Sequence, residues 1–370
     1  MDQLAKVTLR GFKSIGDLIE LELKGKNVLI GANGAGKSNF ISFFKLLNWM
    51  TFGLKLQEYI GISGGGNALL HDGSQVTKHI ECDLVFETEG GVNEYSLTFS
   101  YAAPDTLIFV DERYRYSSRK IGGAASWTNL GAGHRESKLH DDARDPDNKT
   151  ARFILSLLRR CVVHQFHNTS ETARIRQKWD KEDNRYLKDD GANLAPFLFR
   201  MKEERGKYYQ RIVETIKLIT PYFSDFFFDP GDWSMMLKWT EIGTDMVFGA
   251  HQASDGTLRT MALISLLLQP EENFPAVLIL DEPELGLHPY AINIVAGLIK
   301  SASLHTQVIL ATQSMAFVDY FDPEDIIVVD RPLRNSTFRR LTLEELKEWL
   351  EVYTLSELWE KNVIGGRPAS

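Results

Sequence analysis

Val28-Leu29-Ile30-Gly31-Ala32-Asn33-Gly34-Ala35-Gly36-Lys37-Ser38 is the stretch that decides the fold. The unbroken apolar triplet Val28 to Ile30 reads as a strand buried on both faces. The pattern G-x-x-x-x-G-K-S follows at once, and beyond it Phe40, Ile41, Phe44, Leu46 and Leu47 recur at helical spacing. Strand, glycine loop and helix, in that order, are the context a phosphate-binding loop needs. Glycines let amide N–H groups converge on phosphate oxygens, and the helix N-terminus adds its positive end. In this reading Asn33, Gly34, Ala35, Gly36, Lys37 and Ser38 cradle ATP. Lys37 reaches the β- and γ-phosphates, and Ser38 ligates Mg²⁺.

Two downstream stretches extend the chemistry. The apolar strand Val277-Leu278-Ile279-Leu280 ends on Asp281-Glu282-Pro283-Glu284. A carboxylate at Asp281 can hold Mg²⁺ or its water, and Glu282 can orient or deprotonate an attacking water. One Asp-Glu pair alone is an ordinary acidic strand end; its place after an apolar strand, downstream of the phosphate loop, gives it meaning. Ser254-Asp255-Gly256 precedes the apolar helix Met261 to Leu268. A Ser cap with a glycine nearby opens a helix N-terminus to an anion, although by itself it is only a cap.

The rest of the chain sets these motifs in a fold. Further apolar strands at Val308 to Leu310 and Ile326 to Val329, with a helix near Ala291 to Ser301, indicate a parallel sheet covered on both faces. Upstream, Ile80 to Phe86, Tyr95 to Phe99 and Leu107 to Val110 alternate like an antiparallel meander, with Gly90-Gly91 as a turn. Short strands are expected at Val7 to Leu9, Ile19 to Leu23, Leu237 to Thr240 and Met246 to Phe248, and one or two helices from Glu344 to Lys361. Gly61 to Gly66 reads as a mobile stretch and Arg119 to Asn148 as a long, weakly ordered loop. The chain thus divides into an N-terminal lobe (1–125), a mostly helical insertion or lid (126–235) and a C-terminal lobe (236–370).

Composition narrows the function. The 370 residues carry a formal charge of −8, which argues against a protein coated with positive charge for nucleic acid. Residues 151–216 run the other way, with fourteen Lys/Arg against nine Asp/Glu, a balance of +5. That window is either a solvated helical face or a lid for nucleic acid or a partner. Cys82 and Cys161 form no C-x-x-C pair, which leaves no zinc ribbon or redox dithiol and suggests a reducing compartment. The N-terminus lacks the apolar core of a signal peptide, and no apolar run is long enough to span a bilayer. A cytoplasmic protein without a membrane segment is expected. Phe226-Phe227-Phe228, Trp349 and Trp359 are expected in the core.

Taken in order, these motifs resemble the ABC-type ATPases of the RecF/SMC branch, and closely the RecF-like predicted AAA family ATPases often found in bacterial defence loci. Arg10-Gly11-Phe12-Lys13-Ser14 is similar to the opening strand and turn of that branch. Asn39 after Lys37-Ser38 is typical of SMC-like phosphate loops. Ser254-Asp255-Gly256-Thr257-Leu258-Arg259 stands at the signature, and Asp281 to Pro289 matches the Walker B and D-loop block. Gln313 stands at the switch position, and Glu357 to Pro368 resembles the family tail. The resemblance implies an α/β P-loop NTPase with an ABC-type head, an antiparallel β subdomain and a helical insertion. It implies ATP and Mg²⁺ as cofactors and a composite site in a homodimer, where Ser254, Asp255 and Gly256 of one head cap the γ-phosphate held by the other. A role in DNA repair or anti-phage defence goes with it, as do DNA and a TOPRIM-type nuclease as partners.

Two residues depart from the pattern. Asp255 replaces a glycine and sits awkwardly near a γ-phosphate, so it is expected to point away or contact backbone. Gln313 replaces a histidine and cannot take a proton, which bears on hydrolysis more than on binding. In Val163-His164-Gln165-Phe166-His167, Gln165 or His167 could face the Mg²⁺ site, or both could lie on a polar strand end. His288 is expected to order its turn. A regulatory module with little turnover and a transporter nucleotide-binding subunit are the competing readings. The middle insertion and the missing membrane segment weigh against the transporter.

Overall fold

The computed structural model describes residues 2–52, 55–120, 122–123, 125–229, 231 and 233–367. Met1 and Pro368, the ends of two stretches used above, lie outside the described residues. The chain forms two compact units. One comprises 1–163, 275–279 and 306–370; the other comprises 164–274 and 280–305.

The first unit is built around the strand Lys26–Ile30. Its apolar residues are buried, so it takes neighbours on both edges, Gln307–Thr312 and Ile326–Asp330, each parallel to it. The full strand order is Thr337–Arg340, Ile326–Asp330, Lys26–Ile30, Gln307–Thr312, Val277–Asp281 and Cys161–His164. A second, antiparallel sheet runs Ile15–Glu22, Gln3–Phe12, His79–Glu87, Gly91–Ala102, Thr106–Ser118 and Thr128–Asn129. The helix Lys37–Thr51 packs against both sheets. Phe43 meets Phe12 edge-on at 5.4 Å, and Phe40 meets Phe338 at 5.4 Å. Its apolar faces therefore fix the direction in which the phosphate loop points. Gln307 ties the sheets together: its side chain accepts from Leu4 N and donates to Leu4 O and Lys24 O, each at 2.9 Å.

Several segments are more ordered than the sequence implies. Residues 61–66 run from the end of the short helix Leu56–Ile62 to the start of the short helix Gly66–Leu69, fastened where Gly66 N donates to Asp105 O. The stretch after Arg119 is held by Glu112, a fully buried carboxylate on Thr106–Ser118. Glu112 accepts from Tyr95 Oη, Ser137 Oγ and Lys138 N, and lies 2.8 Å from His134 Nε2. A segment without a periodic pattern is thus ordered by one distant acid. Cys82 and Cys161 are buried free thiols. Trp359 is buried as expected, but Trp349 is 45% exposed and Phe227 40% exposed, whereas Phe226 is buried. Adjacent residues on a strand or short turn cannot all face one core, which divides the phenylalanine triplet.

The second unit holds the helices Leu194–Glu204, Gly206–Ile219, Asp255–Leu267 and Pro289–Ala302. It also holds a three-stranded sheet, Phe223–Phe226, Lys238–Glu241 and Val247–Gly249, and the pair Trp179–Asp180 with Ser234–Met235. Several cations behind the local positive balance are paired here: Arg174 with Asp190, Lys188 with Asp183, Lys202 with Asp225. Arg174 also lies 4.6 Å from the Trp179 ring.

Candidate functional site

In the first unit the phosphate loop leaves Ile30 at the end of the central strand. Register places Thr312 opposite Ile30, so Gln313, exposed and next in sequence, leaves the sheet at the same edge as Gly31. The loop is bound to its surroundings. Lys37, buried, donates from Nζ to Gly31 O at 2.6 Å and Ala32 O at 3.1 Å. Gly36 has φ 120, and a Cβ there would collide with the Ser336 hydroxyl. Ser336 Oγ lies 2.6 Å from Ala35 O and 2.7 Å from Ser14 Oγ, which in turn accepts from Asn39 Nδ2 at 2.7 Å. Asn39 and Ser14 thereby join the phosphate-loop helix to the opening turn.

This loop fits a nucleotide's phosphates. The helix Lys37–Thr51 has Gly36 at its N-cap, with no side-chain cap and no acid in its first turn, so no side chain there competes with an anion for the positive end of the helix. Asn33, Gly34 and Ser38 are exposed beside it. Among the described residues no group of three His, Cys, Asp or Glu could hold a metal. A hard cation here would therefore need phosphate oxygens besides the Ser38 hydroxyl and a carboxylate, the habit of Mg²⁺ at nucleotide sites.

The second unit holds its own acidic cluster. Asp281, buried, accepts from Gln165 Nε2 at 3.0 Å, and the same nitrogen lies 3.0 Å from His167 Nδ1. His167 Nε2 lies 2.9 Å from Asp281 O. Gln165 and His167 thus both converge on Asp281. Glu282 has φ 43, the left-handed region, unusual for a residue with a Cβ. Next to these, His164 is buried, and burial pushes its pKa down to about 4, so it is neutral at pH 7.

The signature stretch belongs to the same unit. Ser254 caps the helix Asp255–Leu267, its Oγ accepting from Thr257 N at 3.1 Å. A Cβ at Gly256 would press on Gly286 O of the D-loop, so only glycine lets the two approach. Asp255 meets a side chain rather than backbone: Arg176 donates from Nη2 to its Oδ1 at 2.9 Å. That arginine, nearly buried, also donates to Thr169 O, Ala250 O and Ala253 O, so the awkward acid is neutralised from behind. Arg259 reaches Phe166 O at 3.2 Å, His167 O at 2.9 Å and Leu285 O at 3.2 Å, joining the signature helix to the Gln165 segment and the D-loop. His288 caps Pro289–Ala302, its Nδ1 accepting from Tyr290 N. Neither Arg176 nor Arg259 could be assigned these partners from spacing, since each partner lies 70 or more residues away or belongs to another loop.

A phosphate loop between parallel strands, with an antiparallel sheet packed on its helix and a capped signature helix, defines the ABC-type head of P-loop ATPases. The chain belongs to the family described as "AAA domain, putative AbiEii toxin, Type IV TA system", whose profile matches residues 26–319. Among solved structures it is similar to an Smc head bound to the C-winged helix domain of ScpA, with 17% identity and a TM-score of 0.60 over 93% of this chain and 99% of that one. It is also similar to an Smc head with an extended coiled coil bound to the C-terminal domain of ScpA, from Pyrococcus furiosus. There the identity is 17% and the TM-score 0.54, over 95% of this chain and 99% of that one. None of the curated proteins matches the sequence significantly. The chain is therefore a member of that AAA family with the SMC-like, ABC-type fold of a P-loop ATPase head. Among the described residues no helix is long and apolar enough to cross a membrane.

Proposed function

We propose that the chain hydrolyses ATP with Mg²⁺ and that ATP closes two copies into a dimer, in a DNA-related process such as repair or anti-phage defence. The observation that carries the reading is the Asp281 constellation: a buried carboxylate gripped by Gln165, followed by Glu282 in a left-handed conformation. Strain of that kind is kept where a side chain must be aimed. Mg²⁺, when bound, neutralises phosphate oxygens and orients them. Lys37 binds the β- and γ-phosphates, and Ser38 and Asp281 are the residues whose oxygens would hold the ion. Gln165 fixes the carboxylate rotamer and stands by as a further ligand. Glu282 holds the attacking water and takes its proton. Ser254 and Gly256 of the second copy offer a helix N-terminus to the γ-phosphate, so ATP adds contacts only in the closed dimer and shifts the population toward it. Asp255, paired with Arg176, lowers the repulsion an acid there would cause.

The test is Glu282→Gln, with turnover and sedimentation followed together. We expect turnover to be lost and an ATP-dependent dimer to accumulate. If both stay as in the wild type, the mechanism is wrong. Gln313 favours a second reading, a slow nucleotide switch that controls a separate nuclease of TOPRIM type, because an amide can hydrogen-bond a water but not accept its proton. ATP-dependent DNA cleavage by the purified chain alone would rule that out.

A further inference from the structure

We propose that Arg331 is a second cation of the nucleotide site, contacting the phosphates of bound ATP from a loop at the far end of the chain; the inference rests on the ATP-binding reading above. The strand Ile326–Asp330 runs parallel beside Lys26–Ile30, so the segment after Asp330 and the phosphate loop leave the sheet at the same edge. That segment is tied down along its length. Arg334 pairs with Asp72 at 2.6 Å, Asn335 Oδ1 accepts from Gly16 N at 2.7 Å, and Ser336 N donates to Ser14 O at 2.7 Å. Ser336 Oγ holds Ala35 O of the phosphate loop. Leu333 at the tip sits at φ 59, a conformation that costs energy in a residue with a Cβ and is kept by those ties.

Arg331 opens this segment. Its Nη1 donates to Gly34 O of the phosphate loop at 3.3 Å, and its Nε donates to Arg334 O at 3.1 Å. The guanidinium is thus held against the exposed Gly34. A guanidinium carries five N–H donors, and these two bonds use two of them. Arg331 is exposed and, among the described residues, has no ion pair; Asp72 is close enough to interact with it but is bonded to Arg334. Lys37 differs: it is buried, with its ammonium on two carbonyls of its own loop. The two cations therefore approach the phosphates from different sides, one from within the loop and one from outside it. The competing role for Arg331 is a staple that only orders the loop. A single long bond to Gly34 is a poor staple beside the Ser336 contacts, whereas a planar fork already anchored at one edge is suited to phosphate oxygens.

The test uses the full chain, a fluorescent ATP analogue and Mg²⁺, titrated at low and moderate salt, with melting temperatures measured without nucleotide. Arg331→Ala should weaken binding about tenfold or more, the scale of a hydrogen bond to a charged group. Its affinity should also depend less on salt than the wild type's. Arg331→Gln, which can keep the bond to Gly34 without the charge, should lose affinity as the alanine variant does, and Arg331→Lys should lose less. If Arg331→Gln binds within twofold of wild type while Lys37→Ala abolishes binding, the ATP reading stands and Arg331 is only a staple. If the wild type binds no nucleotide, both fall.

Discussion

Glu112 shows how far one side chain can order a chain. Burial pushes its carboxyl pKa up, but the hydrogen bonds from His134, Ser137, Tyr95 and Lys138 outweigh that and hold it below its ordinary value. The unfolded chain therefore takes up the proton first as pH falls. The stability Glu112 confers is complete above its ordinary pKa of 4.5 and drains away as pH drops through the lower folded value. Glu112→Gln should cost stability at pH 7 and flatten the acid limb of a plot of urea midpoint against pH below about 4.5. An unchanged acid limb would mean that other carboxylates govern it. The same carboxylate explains why the stretch after Arg119 could not be read from its sequence. Nothing within that stretch indicates order; its anchor lies on a strand that precedes it.

At the scale of elements, the sequence exposed whatever depends on local pattern. Uniformly apolar runs gave the parallel strands, alternation gave the meander, and the closing segment from Glu344 was legible as one or two helices; the structure adds their caps, Thr342 on Leu343–Leu350 and Thr354 on Leu355–Glu360. The motif stretches stand out in the sequence because their residue types are concentrated in short runs. The arginines that brace them do not, because an arginine's partners are fixed only by the fold. Arg176 joins the Thr169 loop, the turn at Ala250 and Ala253 and the first residue of the signature helix. Removing it leaves buried carbonyls without a donor, so Arg176→Ala should destabilise by about 2–4 kcal/mol, read from urea melts. Arg176→Lys should recover little of this, since an ammonium cannot reproduce the fork. A loss below about 0.5 kcal/mol, the level of an ordinary surface change, would show that water replaces it.

For the molecule as a whole, the nucleotide-binding sheet is assembled from remote parts of the sequence. The strand that launches the phosphate loop comes near the start of the chain, while both of its sheet neighbours, Gln307–Thr312 and Ile326–Asp330, come in the last fifth. A chain truncated before Gln307 should bind no fluorescent ATP analogue and should aggregate; specific binding by that fragment would contradict the role given to these strands. The same arrangement matters during synthesis. A growing polypeptide displays Val28, Leu29 and Ile30 without these two sheet partners until synthesis has passed Gln307, on the order of tens of seconds at ordinary elongation rates. Throughout that interval the motif is complete as a sequence and cannot yet work as a site. A ribosome that stalls between the strand Lys26–Ile30 and its partners leaves an adhesive fragment without an assembled sheet. This protein should therefore lean on nascent-chain chaperones while that strand waits for its neighbours.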